Sequence, residues 1–295
     1  MYQPIRIARI ALAFAISLSA LIATPKASRA DSPPNITTNV NWTGGLSSVN
    51  DIQSAFNNGR RQEEIQRGLA TGALGNMVLP SQAVWNTYDA GQKALYLLNA
   101  ERVARAGFPP GVLGLPFQDS QVDVQALAQN YANYLVANNL FGHYYQGSPF
   151  DRIANDPVIG PCREFLSRAE NIAGFWTTGT SNPLAVERAL YNWIYADSSS
   201  VWGHREAALL QDKDLATSNP LYGFKNNVGS AASEGFIGIG IAESATYTVG
   251  YSAAKWGTVV ILVMIDPIST GSCPWDLAPT PTPIPTSTPT NTAVP

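Results

Sequence analysis

Residues 258–265 (Thr-Val-Val-Ile-Leu-Val-Met-Ile) form a nearly continuous apolar run. A run of this kind suits a central strand buried on both faces. It demands a sheet with cover on each side, and segments of helical period lie upstream to provide it. Residues 236–242 alternate apolar residues with Gly, and residues 246–251 are β-branched and aromatic. Both predict strands. Before them the spacing predicts helices over 51–68, 82–106 and 120–140, a third domain helix opening at Asn182-Pro183, and a short one over 204–210. Ile52, Phe56 and Ile65 are the sparse apolar positions of the first. Leu95, Leu98 and Val103 mark the face of the second, with Asn99 and Arg102 beside it. Val124, Leu127, Tyr131 and Leu135 line the next. Val186, Leu190, Trp193 and Asp197 share one face of the helix after Asn182-Pro183, a cap followed by Pro at the first helical position. Ser120-Gln121-Val122-Asp123 has the form of a capping box. Helices first and strands afterwards predict an α+β layered domain with a three-stranded antiparallel sheet.

The two ends of the chain read differently from this body. Residues 1–30 carry Arg6 and Arg9, an apolar run over 10–23, then Pro25 and Ala27-Ser28-Arg29-Ala30. That is the pattern of an export signal cut before Asp31. The run is about 14 residues, short of the roughly 20 that span a bilayer, so no transmembrane anchor is expected. The segment holds Arg6, Arg9, Lys26, Arg29 and no acid, so removing it takes the formal charge from -3 to −7. This balance excludes nucleic acid as a partner and anionic lipid held by charge alone. Residues 31–83 read as an extended leader with one helix. They include the glycosylation acceptor patterns Asn35-Ile36-Thr37 and Asn41-Trp42-Thr43. Residues 84–276 are the folded domain. Residues 277–295 alternate Thr and Pro, an extended stalk that cannot bury a core and that suits wall or matrix association. The expected location is secreted, outside the cell or at its wall.

Cys162 and Cys273 are the two cysteines of the chain. In an oxidising compartment an even pair reads as one disulfide, worth up to about 4–5 kcal/mol for so long a loop. The alternative is two buried thiols. The two histidines sit in similar settings, Phe141-Gly142-His143-Tyr144 and Trp202-Gly203-His204-Arg205. Glu170, Asp197 and Glu206 lie near them in sequence. Two imidazoles with two or three carboxylates are the minimum for zinc or another divalent metal. The ligands would come from separate elements, so spacing does not decide the matter. No His-Glu-x-x-His, phosphate-binding Gly-x-x-x-x-Gly-Lys or Gly-x-Ser-x-Gly elbow is present. Gly238-Ile239-Gly240 reads as a strand with close backbone packing, not a dinucleotide loop.

Leu95-x-x-x-Asn99-x-x-Arg102 resembles the opening motif of the CAP superfamily, the SCP-like extracellular domain. That superfamily groups cysteine-rich secretory proteins, insect venom antigens, plant pathogenesis-related proteins and bacterial exported proteins. Leu127 to Ala132, Phe141-Gly142-His143, Glu170-Asn171-Ile172-Ala173, Trp193, Gly203-His204-Arg205-Glu206 and Gly238-Ile239-Gly240 follow in the order of the bacterial branch. The resemblance implies an α-β-α sandwich with a small central antiparallel sheet and a cleft holding two His and two acids. It places His143 and His204 as the histidines, Glu170 as the first acid, and Asn99, Arg102 and Asn171 as structural motif residues. The family often has Glu three residues after the helix Trp. Here Ala196 stands there and Asp197 follows, with Glu206 as the competing second acid.

Three function classes follow. The preferred one is a secreted binding module whose cleft holds a divalent metal and takes a lipid, sterol or protein ligand, with Tyr144, Tyr145, Phe175 and Trp176 as groove or core aromatics. The second is a hydrolase of peptidase type, using His143 or His204 as base or both as metal ligands. The third is a structural extracellular protein in which the histidines and acids only cross-link the fold.

Overall fold

The computed structural model describes residues 35–42, 48–107, 114–161, 165–200, 202–209 and 235–267. In chain order they form α1 (Val49–Arg67), α2 (Gln82–Trp85), α3 (Ala90–Ala104), β1 (Asp119–Ser120), α4 (Val122–Ala137), α5 (Pro149–Asn155), β2 (Phe165–Thr177), α6 (Ala185–Tyr195), α7 (Gly203–Leu209), β3 (Phe236–Ser244) and β4 (Trp256–Pro267). The residues expected to form an export signal, the Thr/Pro tail, and both Cys162 and Cys273 lie outside the described residues.

The continuous apolar run is the middle of β4. It pairs antiparallel with β3 on one side and β2 on the other, and the two-residue β1 runs parallel to β3 at the far edge. Side chains alternate across a strand. Val259, Ile261, Val263 and Ile265 therefore enter one core, against Val124, Ala128, Tyr131 and Leu135 of α4. Val260, Leu262 and Met264 enter the other, with side chains of α1, α3 and α6. Both faces are covered, which is why no polar residue interrupts the run. The result is an α+β sandwich, with helices on both faces of a small sheet whose three long strands are antiparallel.

The glycines of β3 seat α4. A Cβ at Gly238 would stand 2.1 Å from the Val124 carbonyl carbon, and one at Gly240 2.3 Å from that of Ala128. Only a strand without side chains at these positions lets the helix backbone approach so closely.

The segment 246–251 is not a strand. Tyr247 is buried on the α4 side and its hydroxyl donates to the Leu140 carbonyl at 2.9 Å. The N–H groups of Thr248 and Val249 donate to Asn139 Oδ1 at 2.9 and 2.8 Å. A side chain thus satisfies donors that a ladder would have taken. The third long strand is β2 instead, so strands and helices interleave. Glu170 and Asn171 interrupt the apolar alternation that would have marked it.

Three helix starts also differ. The segment 82–106 is two helices, because Asp89 and Gln92 form a capping box that restarts the chain at α3. Gln121 caps α4 by accepting from the Asp123 N–H, and Ser120 belongs to β1. Asn182 does not cap α6. Its Nδ2 donates to the Phe175 carbonyl and to Thr258 Oγ1, and α6 begins after Leu184, which turns the chain with a left-handed φ of 57°.

Candidate functional site

Successive residues of β2 reach both histidines. Glu170 Oε1 meets His143 Nδ1 at 3.0 Å. Asn171, on the opposite face, donates from Nδ2 to the His204 carbonyl at 2.9 Å. The pleat of one strand therefore ties together two loops that are far apart in sequence.

His143 lies in the loop between α4 and α5. Its carbonyl and those of Tyr145 and Gly147 accept from Arg152 Nη1 at 2.9, 3.0 and 2.9 Å. Arg152 Nη2 donates to Glu170 Oε2 at 2.6 Å. The same guanidinium sits 3.4 Å from the ring centroid of Tyr131 on α4. Its position is set by α5, whose start is fixed by Pro149 and the capping box of Ser148 and Asp151. One arginine thus holds the loop and the carboxylate that holds the imidazole.

His204 is the second residue of α7. Asp197 Oδ1 meets its Nδ1 at 2.7 Å, while Oδ2 accepts the backbone N–H groups of His204 and Arg205 at 2.9 and 3.1 Å. Trp202, with a left-handed φ of 63°, turns the chain into the helix. Trp193 of α6 places its ring 6.3 Å from the His204 ring and donates from Nε1 to the Ile172 carbonyl at 3.3 Å.

The two imidazoles face each other, ring centroids 6.2 Å apart and planes 26° from parallel. Their side chains are 32% and 19% exposed, whereas Glu170 and Asp197 are at 2% and 3%. The acids are therefore buried supports and the rings are the surface presented to solvent. An ionised carboxylate can only accept, so a neutral imidazole held in this way carries its proton on Nδ1 and keeps Nε2 as its acceptor. This is the arrangement that orients metal-ligating histidines, and equally a general base.

The carboxylate that holds His204 is that of Asp197. Glu206 is buried on α7, where its N–H donates to the Trp202 carbonyl. Asn99 exchanges two hydrogen bonds with the Phe117 backbone, at 2.9 and 2.7 Å. Arg102 donates to the carbonyls of Leu115 and Ala208, both at 2.7 Å, so it ties the far end of α7 to α3. Phe175 is core, Tyr144 is 79% exposed beside His143, and Trp176 packs between Phe141 and Tyr251. Arg152 was not among the residues singled out from the sequence. The box Ser148-Pro149-x-Asp151 ahead of it was the legible signal that a helix begins there.

Among the described residues no group of three or more His, Cys, Asp or Glu side chains is arranged to hold a metal. The histidine pair supplies two nitrogens, fewer than the four protein ligands of a structural zinc or the three of a catalytic one.

Fold and site together define an α+β sandwich that displays two carboxylate-held imidazoles. No family model matches the chain, and no curated protein matches it. Among solved structures it is similar to the CAP domain of Enterococcal PrgA, with 12% identity over 85% of this chain and 93% of that one and a TM-score of 0.38. No helix among the described residues is long and apolar enough to cross a membrane.

Proposed function

We propose that the protein is a secreted CAP-type binding module, and that His143 and His204 are its ligand-contacting groups. The observation that carries this reading is the pair of facing, part-exposed imidazoles, each held at Nδ1 by a buried acid. Here two loops and a strand are organised around the pair, and both rings remain part-exposed.

A divalent cation such as zinc, held by His143 and His204, would offer open positions to carbonyl or carboxylate oxygens of a ligand. The chain's own part is orientation. Glu170 and Asp197 fix the tautomers, Arg152 fixes the His143 loop, and Asn171 fixes His204 against β2. Exposed Tyr144 gives a ligand an apolar surface beside the pair. A protein segment with a carboxylate or exposed carbonyl suits this site.

The test is zinc titration calorimetry on the chain from residue 31 onward, beside His143→Ala/His204→Ala. One site per chain, lost in the double variant, is the expected result. Affinity that survives in the variant, or no heat in either protein, would overturn the metal reading.

A further inference from the structure

Behind α7 lies a buried charge cluster that the histidine site does not by itself explain. Arg60, Glu63, Glu101, Arg105 and Arg205 are each no more than 3% exposed. Glu63 and Arg60 come from α1, Glu101 from α3, Arg105 from the residue that ends α3, and Arg205 from α7. Glu63 Oε2 accepts from Arg105 Nη2 at 2.5 Å and Oε1 from Arg205 Nη2 at 2.6 Å. Glu101 accepts from Arg60 Nε at 3.0 Å, from Tyr195 Oη at 2.7 Å, and from Arg105. Arg205 Nη1 donates to the Ile194 carbonyl at the end of α6.

The position of Arg205 gives this cluster a consequence at the surface. Its backbone N–H donates to the same Asp197 Oδ2 that receives the His204 N–H. A short path therefore runs from Glu63 through the Arg205 guanidinium and backbone to Asp197, and from Asp197 Oδ1 to His204 Nδ1. The α1 end of the path is rigid. Ile52, Ala55 and Phe56 are fully buried, and a Cβ at Gly59 would stand 2.9 Å from the Tyr195 ring, so α1 lies directly on α6. His143 has a separate support, made of Glu170 and Arg152.

We infer that Glu63 is a positioning residue for His204, and that α1 is a working part of the histidine site. Glu63 anchors Arg205, Arg205 anchors the start of α7, and the start of α7 sets the register of His204 against Asp197. The inference rests on the histidine pair being the functional site, but its test does not require the pair to bind metal.

The test is a long-range ¹H–¹⁵N imidazole spectrum of the whole chain near neutral pH, stripped of metal with chelator. It compares wild type, Glu63→Gln and Glu64→Gln. Glu64 is the matched control. It is buried one position along α1, but its oxygens accept from the N–H groups of Gly72 and Leu74 and pair with Arg61, away from α7. In wild type both histidines should give the separated nitrogen signals of a fixed Nδ1–H tautomer. In Glu63→Gln the two signals of His204 should move toward each other, as for a tautomer mixture, while those of His143 stay. Glu64→Gln should leave both unchanged. Should Glu63→Gln not fold, Arg205→Lys reads the same link. It keeps the charge but cannot hold Glu63 and the Ile194 carbonyl together. An unchanged His204, equal movement of both histidines, or the same movement in Glu64→Gln would overturn the inference. A null zinc titration with a selective His204 shift would remove the metal reading and leave this one standing.

Discussion

Replacing Arg152 by Met should unfasten the His143 loop, and the size of the effect follows from what the guanidinium touches. It donates to three backbone carbonyls and to Glu170, whose side chain is 2% exposed. The carbonyls lie in a loop that carries the exposed Tyr144, so water can replace much of what they lose. Glu170 has no such recourse. Removing one partner of a buried ion pair leaves an uncompensated charge, which costs about 3–5 kcal/mol. For a domain of this size that lowers Tm by roughly 6–20 °C. The double variant Arg152→Met/Glu170→Gln has no buried charge and should recover about 2 kcal/mol or more relative to the sum of the single changes. Urea unfolding followed by tryptophan fluorescence, with midpoint and slope both fitted, measures all four corners of the cycle. A loss below about 1 kcal/mol in the single variant, or strict additivity in the cycle, would refute the claim that this ion pair holds the loop.

Three further outcomes are expected. Burial alone would raise the Glu63 carboxyl, but Arg105 and Arg205 outweigh it and hold the pKa at about 2, below the usual 4.5. A depressed carboxyl stabilises fully above its unfolded pKa and loses that contribution as pH falls through the folded one. About 3 kcal/mol should therefore disappear between roughly pH 5 and 2, read as the urea midpoint against pH, with a shallower slope in Glu63→Gln. Gly240→Ala should cost about 1–3 kcal/mol, because its Cβ would meet the α4 backbone at 2.3 Å and the helix must shift. Thermal melts showing no loss would mean that α4 is not seated there. Tyr195→Phe should cost about 1.5–3 kcal/mol, since its hydroxyl donates to a fully buried Glu101. An unchanged urea midpoint would remove that bond from the account.

Much of the fold was legible because its signals are local. The unbroken run of β4 required cover on both faces, and α4 and α3 with α6 provide it. The Gly alternation of β3 announced a close approach, and α4 fills it. The strand β2 was hidden for the opposite reason. Its polar pair, Glu170 and Asn171, serves the histidines and so disturbs the period by which a strand is recognised. The segment 246–251 carried the residue types of a strand and lacked the partner, since Asn139 took its donors.

The same division holds for the site. Sequence alone supplied the residue types, two histidines and three acids, and an order of motifs that set them in one family pattern. It left Asp197 and Glu206 as rivals, because spacing along a chain does not say which carboxylate meets which ring. The turn at Trp202 decided that in favour of Asp197, by bringing the backbone of α7 onto its second oxygen. Arg152 and Glu63 are supports that act across 18 and 142 positions of sequence. No local pattern encodes contacts of that length. They exist only once helices and sheet have packed, when a buried charge must find its partner wherever in the chain that partner lies.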